Sequence, residues 1–296
     1  MEESIRKAAV LVEALPYIQS FRDKIVLVKL GGSMLSDEEQ LNGILKDLVF
    51  MHSVGIKPVV VHGGGERISR NMRNAGLEPR FVAGYRVTDD ETLRIVEQTL
   101  LGEINAEISR KITELGAEAK RCSGKDEGML LVEKFCPVVS KSPHEPAEPV
   151  DIGFVGAVIA VNVEPIRRTL REGRLPVIAT LGVGKDDRVY NVNADETAAK
   201  VAQALRAEKL VFLTNVRGLL RDPNDESSLI SSLDAEIAEE LLREEVITEG
   251  MIPKVKAALE AVKNGVHKTH IIDGRLTHSL LLEIFTDEGI GTQIVH

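Results

Sequence analysis

Six short, apolar, β-branched runs recur along this chain with helical patterns between them, and that alternation limits the fold more than any other feature. The runs are residues 25–30, 58–61, 158–163, 176–181, 210–214 and 270–272. Helical apolar spacing occupies the stretches near 37–54, 65–76, 89–114, 164–172, 194–207, 234–245, 251–264 and 277–286. A strand that is apolar throughout must be buried on both faces, as in a parallel sheet covered by helices. The expected architecture is α/β: a three-layer αβα sandwich around a mainly parallel central sheet, in two lobes. A boundary is expected near residues 172–180, dividing the chain into segments 1–22, 23–175 and 176–296. The first segment has helical spacing over 3–15, with Ile5, Ala8, Ala9 and Val12 on one stripe and Leu11 and Leu15 beside it. Pro16 must end or kink that helix before the piece Tyr17–Arg22. The Pro-rich stretch 140–153 reads as a loop or hairpin arm.

Composition matters here for what it excludes. Aromatics make up 3% of the 296 residues and Trp is missing, which disfavours stacking of nucleic-acid bases. A net charge of -9 argues against a binder of phosphate backbones. An acidic protein that handles anions must concentrate its cations locally. The two cysteines, Cys122 and Cys136, match no zinc spacing and are expected to be reduced, structural thiols. The N-terminus MEESIRKAAV lacks a signal-peptide pattern, and no apolar run approaches the ~20 residues of a membrane span. A cytoplasmic protein is expected.

The first strand, "IVLVKL", carries a cation, Lys29, and stops on Gly31, Gly32 and Ser33. The second leads into "VHGGGE", where Gly64 and Gly65 open a helix. Open α/β sheets bind ligands outside the carboxyl ends of their strands. Each glycine run is either a tight turn or a nest of N–H groups for an anion. Neither fits a Walker loop or G-x-G-x-x-G. Lys29 either snorkels from a sheet edge or faces that anion. Lys254 stands beside Pro253 in the first turn of a helix, where a cation is unfavourable unless an anion sits there. Asn193 reads as an N-cap, and Asp195, in the first turn that follows, either serves the helix end or orients two nearby lysines. Arg86, on a loop after Gly84, is a surface arginine or a bidentate carboxylate ligand.

Together, "KLGGSML", "GIKPVVVHGGG", "GYRVTD", "INAEI", "SGKD", "DIGFVG", "LPVIATLGVG", "YNVNADETAAKVA", "LVFLTNVRGLL", "EGMIPKVKAALEAV" and "LLLEIFTDEGIGTQIV" resemble the amino acid kinase family nearly end to end. Within that family the set is similar to the members that phosphorylate N-acetyl-L-glutamate in the second step of arginine biosynthesis. The resemblance implies ATP and Mg²⁺ as cofactors, the metal being carried on the ATP phosphates. It implies that Lys29 and Lys254 stabilise the transferring phosphoryl group and that Asp195 holds them. Gly64, Gly65, Arg86 and Asn191 would bind the acetylated substrate in the N-lobe. Gly31, Gly32, Ser33, Thr214, Asn215, Gly218 and Thr248 would border the nucleotide, bound by the C-lobe. The N-terminal helix would link dimers into a homohexamer inhibited by L-arginine, with Tyr17, Lys209, His270, Glu283 and Gly289 around the inhibitor. Some such kinases also bind a nitrogen-status signal protein. Asn215 stands where an aspartate is common, and Glu127 and Glu249 replace frequent glycines. A dinucleotide-dependent oxidoreductase lacks its fingerprint here, and the set Lys29, Asp195 and Lys254 counts against a catalytically silent sensor.

Overall fold

The computed structural model describes residues 1–140, 147–222, 225–243, 247, 250–286 and 289–296. One eight-stranded sheet runs through the molecule. In spatial order its strands are Ser232–Asp234, Thr292–Val295, Lys268–Asp273, Lys209–Thr214, Ile25–Leu30, Lys57–His62, Leu175–Ala179 and Ala119–Ser123. Every pairing in it is parallel except that of Lys268–Asp273 with Thr292–Val295. The mainly parallel sheet is as expected. Leu175–Ala179 pairs with Lys57–His62, so the sheet continues without a break past the expected lobe boundary.

The period-2 alternation of each strand sorts its side chains between two cores. Val26, Val28 and Leu30 join one core with Val60, Val211 and Leu213. Leu27 joins the other with Val59, Val61, Leu210 and Phe212. Lys29 therefore shares a face with Leu27. Over that face lie the helices Ala194–Leu205 and Ile252–Lys263. Ala198, Ala199 and Ala202 are fully buried there, and their small side chains let the helix approach the sheet closely. The opposite face is covered by Glu38–Ser53, Gly65–Asn74, the helical run from Asp90 to Glu114, and Ser279–Phe285.

The structure departs from the sequence reading in several places, and three strands of the large sheet, Ala119–Ser123, Ser232–Asp234 and Thr292–Val295, are not among the expected apolar runs. The helix expected over 89–114 is Asp90–Glu97 and Ala106–Glu114 joined by a wide π-helical stretch, Gln98–Asn105. The run 176–181 breaks at Thr180 into Leu175–Ala179 and Leu181–Gly184. Leu181–Gly184 closes a small four-stranded barrel with Val189–Val192, Val155–Val161 and Leu130–Lys134, and only Val155–Val161 of those three corresponds to an expected strand. The mixed polarity of Leu130–Lys134 and the brevity of Val189–Val192 hide them from a search for apolar runs. Flanking the undescribed residues 141–146, Val138–Val139 and Glu148–Pro149 pair antiparallel, as a hairpin arm should.

At the N-terminus, Glu2–Glu13 and Leu15–Phe21 are separate helices with Pro16 in the first turn of the second. Ile5, Val10, Leu11 and Val12 of the first are exposed. Among the described residues no helix is long and apolar enough to cross a membrane. Cys122 and Cys136 are free thiols, and burial pushes Cys122 up to about 11.

Candidate active site

Lys29 is the fifth residue of its strand and lies close to the carboxyl edge of the sheet. Its ammonium is 2.8 Å from Asp195 Oδ1, and the Lys254 ammonium is 3.5 Å from Asp195 Oδ2. Local sequence explains the meeting. Asn193 caps the helix Ala194–Leu205 by accepting from the Asp195 and Glu196 N–H groups, which fixes Asp195 in the first turn. Pro253 and Lys254 occupy the first turn of Ile252–Lys263, packed beside it. Burial raises the cost of ionising Asp195, but the Lys29 and Lys254 charges and their hydrogen bonds hold it below the usual carboxylate range. One buried carboxylate thus keeps two ammonium groups side by side at the mouth of a cleft.

The glycine loops converge on the same point. A Cβ on Gly32 would lie 3.7 Å from the Glu66 nitrogen, and one on Gly63 would lie 3.2 Å from Ala194 Cβ. Two adjoining cavities open here. The first, of about 220 Å³, is lined by Lys29, Gly63–Gly65, Arg86, Thr180 and Asn191–Asp195 among others. The second, of about 580 Å³, is lined by Lys29, Gly31, Gly32, Glu66, Thr214, Asn215 and Lys254 among others. Lys29, Gly32, Gly65, Phe81 and Arg86 border both cavities.

Arg86 is the other cation of the site. It ends the short hairpin Phe81–Val82 and Tyr85–Arg86, turned by Gly84 at φ 81. It donates to Gly65 O and Ser69 Oγ at 2.8 Å each and lies over the Phe81 ring at 4.7 Å. Burial first, and the nearby Arg73 charge second, pull it down to about 10. No carboxylate pairs with it among the described residues, although it is only 7% exposed. A buried guanidinium left with neutral acceptors is suited to an incoming carboxylate. Asn191 faces the same cavity and donates to the Thr88 hydroxyl at 3.4 Å.

The expected nucleotide residues are less uniform in position. Gly31, Gly32, Thr214 and Asn215 line the larger cavity, and Ser33 opens a short 3-10 turn beside it. Gly218, at φ 151, instead abuts Thr292, where a Cβ would meet the Thr292 hydroxyl at 2.6 Å. Thr248 and Glu249 lie outside the described residues. Glu127, at a position where a glycine is frequent, adopts φ 52 and ion-pairs with Arg168 at the surface. Sequence reasoning missed Thr180, Ser69 and Phe81. Thr180 is the polar residue that interrupts the apolar run 176–181, and Phe81 is an aromatic three residues before the hairpin glycine; these were the available signals.

At the opposite, amino edge of the sheet a second ion cluster forms. Lys209 opens its strand and lies 3.4 Å from Glu283 Oε1, while His270 Nδ1 is 2.7 Å from the same oxygen. Burial pulls both Lys209 and His270 below their usual ranges. The Lys209 ammonium also lies 5.3 Å from the Phe21 ring, on the helix that carries Tyr17. Gly289 is exposed, next to undescribed residues.

The profile of the Amino acid kinase family matches residues 24–273. The chain is 50% identical over 292 residues to the acetylglutamate kinase of Thermoanaerobacter pseudethanolicus, covering 99% of this chain and 94% of that one. It is similar to the N-acetylglutamate synthase of Neisseria gonorrhoeae solved with coenzyme A and N-acetyl-glutamate, at 26% identity and a TM-score of 0.83, over 98% of this chain and 63% of the synthase chain. A second structure of that synthase, with coenzyme A and L-arginine, aligns at a TM-score of 0.79 and 26% identity over 97% of this chain and 65% of that one. The two-lysine cleft at the carboxyl edge, the paired glycine loops and these similarities agree: the chain belongs to the amino acid kinase family.

Proposed function

We propose that this protein transfers the γ-phosphoryl group of ATP to the γ-carboxylate of N-acetyl-L-glutamate, giving N-acetyl-L-glutamyl 5-phosphate on the route to arginine. The observation that carries the reading is the buried Asp195 holding Lys29 and Lys254 between two cavities, with Arg86, which pairs with no acid among the described residues, bordering both. The smaller cavity suits the acetylated amino acid, whose α-carboxylate would meet Arg86; the larger suits the nucleotide.

The acceptor needs no general base. A free glutamate side chain, of pKa about 4.3, is already ionised at neutral pH. The barrier is repulsion between two anions brought into line. Lys29, Lys254 and the N–H groups of Gly64 and Gly65 meet the negative charge of the transferring group, which is the main need in phosphoryl transfer. Asp195 stays ionised and keeps the lysines apart and aimed. Mg²⁺ would neutralise phosphate charge. It would enter on the ATP phosphates, because Asp195, the carboxylate between the lysines, is already engaged by both.

Regulation by L-arginine is part of the same proposal. Glu283 offers a guanidinium acceptor, and the buried Nε2 of His270 beside it has no partner among the described residues. The exposed apolar stripe of Glu2–Glu13 suits pairing with the same helix of another subunit in a cytoplasmic homohexamer, with a nitrogen-status signal protein as a further partner. A lobe division at 175/176 fits the nucleotide residues Thr214, Asn215 and Lys254, but Asn191 and Asp195 reach the acceptor cavity from the C-terminal side. The test is hydroxylamine capture of the acyl phosphate with N-acetylglutamate, glutamate, aspartate and carbamate as parallel acceptors. The expected signal is from N-acetylglutamate. A larger signal from another acceptor would overturn the substrate assignment.

A further inference from the structure

His62 ends the strand Lys57–His62 directly before the glycine nest and is fully buried. Its neighbours determine its state. Nδ1 lies 3.0 Å from Gly63 O, an acceptor, so that nitrogen carries the proton. Nε2 lies 3.1 Å from Asn105 Nδ2, a donor, so that nitrogen is bare. Burial pushes the imidazole down to about 4, so it is neutral at physiological pH. Asn105 is itself anchored: its amide also donates to Val177 O at 2.8 Å, and it closes the π-helical stretch Gln98–Asn105.

A trans peptide points its C=O and the following N–H in opposite directions. Fixing the Gly63 carbonyl toward His62 therefore aims the Gly64 N–H the other way. Among the described residues that N–H has no acceptor in the protein. Gly64 itself is pressed against the π-helical stretch. A Cβ there would lie 2.6 Å from Ile104 Cδ1 and 2.9 Å from Leu100 Cδ2. The extra residue per turn of a π-helix is commonly found at functional sites, and here the stretch supplies both the wall behind Gly64 and the amide that orients His62.

We propose that neutral His62, held by Asn105, is a positioning residue that aims the Gly64 N–H at the oxygen on which charge develops during phosphoryl transfer. It acts through the Gly63 carbonyl and does not touch substrate. The inference rests on the phosphotransfer reading above. An active wild-type enzyme secures that reading independently, because the variants are judged only against the acceptor that the wild type uses.

The test compares three enzymes: wild type, His62→Leu and His62→Asn. The Asn side chain carries an amide nitrogen on Cγ, where His carries Nδ1, and so can still donate to Gly63 O. Removing one donor to developing charge costs roughly 10²–10³-fold in kcat, and a misaimed donor costs less. His62→Leu should lower kcat by about 10–100-fold while the KM values for ATP and acceptor stay within about threefold. His62→Asn should recover most of kcat. Dissociation constants for a non-hydrolysable ATP analogue, measured by calorimetry, should match wild type in both variants and show that the cleft has folded. Asn105→Leu, which frees the ring but leaves its Nδ1 donor, should fall between the two. A His62→Asn enzyme no better than His62→Leu would overturn the proposal. So would His62→Leu with wild-type kcat, or variants whose losses follow weakened analogue binding.

Discussion

The two edges of the central sheet carry two ion clusters built alike and environed differently. At the carboxyl edge, Asp195 meets Lys29 and Lys254; at the amino edge, Glu283 meets Lys209 and His270. Each is one buried acid with two basic partners: Lys29, Lys209 and His270 stand on strands of the sheet, and Lys254 stands on the helix Ile252–Lys263. The carboxyl-edge cluster lies among helix N-termini and glycine loops and opens onto cavities. The amino-edge cluster is closed: burial is the largest influence on Lys209 and His270, and it pulls both toward their neutral forms. Helix N-termini attract anions, and parallel strands collect them at one edge only. That asymmetry suits the first cluster to the proposed phosphoryl chemistry and the second, closed between the sheet and Ser279–Phe285, to a role away from turnover.

The comparison breaks most sharply at the lysines. Lys29→Ala and Lys254→Ala should each lower kcat by about 10²-fold or more with little change in KM, since their charge matters where negative charge reorganises. Near-normal kcat in either variant, measured by hydroxamate formation, would remove that residue from the reaction. At the other edge, Glu283→Ala should leave kcat within about twofold but cost roughly 3 kcal/mol of stability, because it strands the mostly buried Lys209 without its partner. Urea unfolding read beside kcat separates the two effects. A large loss of kcat with unchanged stability would mean that the clusters share one role.

Arg86 gives an intermediate case, a buried cation with no acid of its own among the described residues. Arg86→Lys keeps the charge and loses the planar fork. The KM for N-acetylglutamate should rise by about tenfold, with that for ATP nearly constant. Equal damage to both would place Arg86 on the nucleotide instead.

Acid should sharpen the contrast further. His270 and His62 have folded pKa values below the ordinary 6.5, the latter about 4. Between those values the unfolded chain binds more protons than the native one. Stability is therefore complete above pH 6.5 and falls as pH drops below it. Each histidine adds a slope of up to ~1.4 kcal/mol per pH unit. Asp195 and Glu283, held below 3.8 and 4.5, contribute losses only at lower pH. Unfolding free energies should be level from pH 7.5 to 6.5 and decline toward pH 5, less steeply in a His270→Asn variant. A level profile down to pH 5 would contradict the closed environment of the amino edge. The smallest effect on turnover is expected from deleting residues 1–22: a dimer of near-normal kcat that no longer responds to arginine. Light scattering and inhibition curves check this, and a deletion variant still hexameric and still inhibited would exclude the helix as the linker.

Much of the carboxyl edge was legible in the sequence. Lys29 before two glycines, Asn193 two residues before Asp195, and Pro253 beside Lys254 are local signatures, set by strand ends, caps and first turns. The barrel was not legible, because Leu130–Lys134 and Val189–Val192 are too short or too polar to announce themselves. The π-helical turn from Gln98 to Asn105 was not legible either. Its apolar spacing differs from that of an ordinary helix by less than one residue per turn, and the contacts that hold it open, to His62 and Val177, come from residues 43 and 72 positions away.

The sequence by itself determined the alternating strands and helices, the glycine-ended strands and the capped helix that carries Asp195. Those depend on periodicity and on backbone preferences within a few residues. Only the tertiary structure decided which cations share which acid, that Arg86 is buried without a carboxylate among the described residues, and that His62 is a neutral donor to Gly63. These depend on the strand order of the sheet and on desolvation, and both are properties of packed neighbours far apart in the chain.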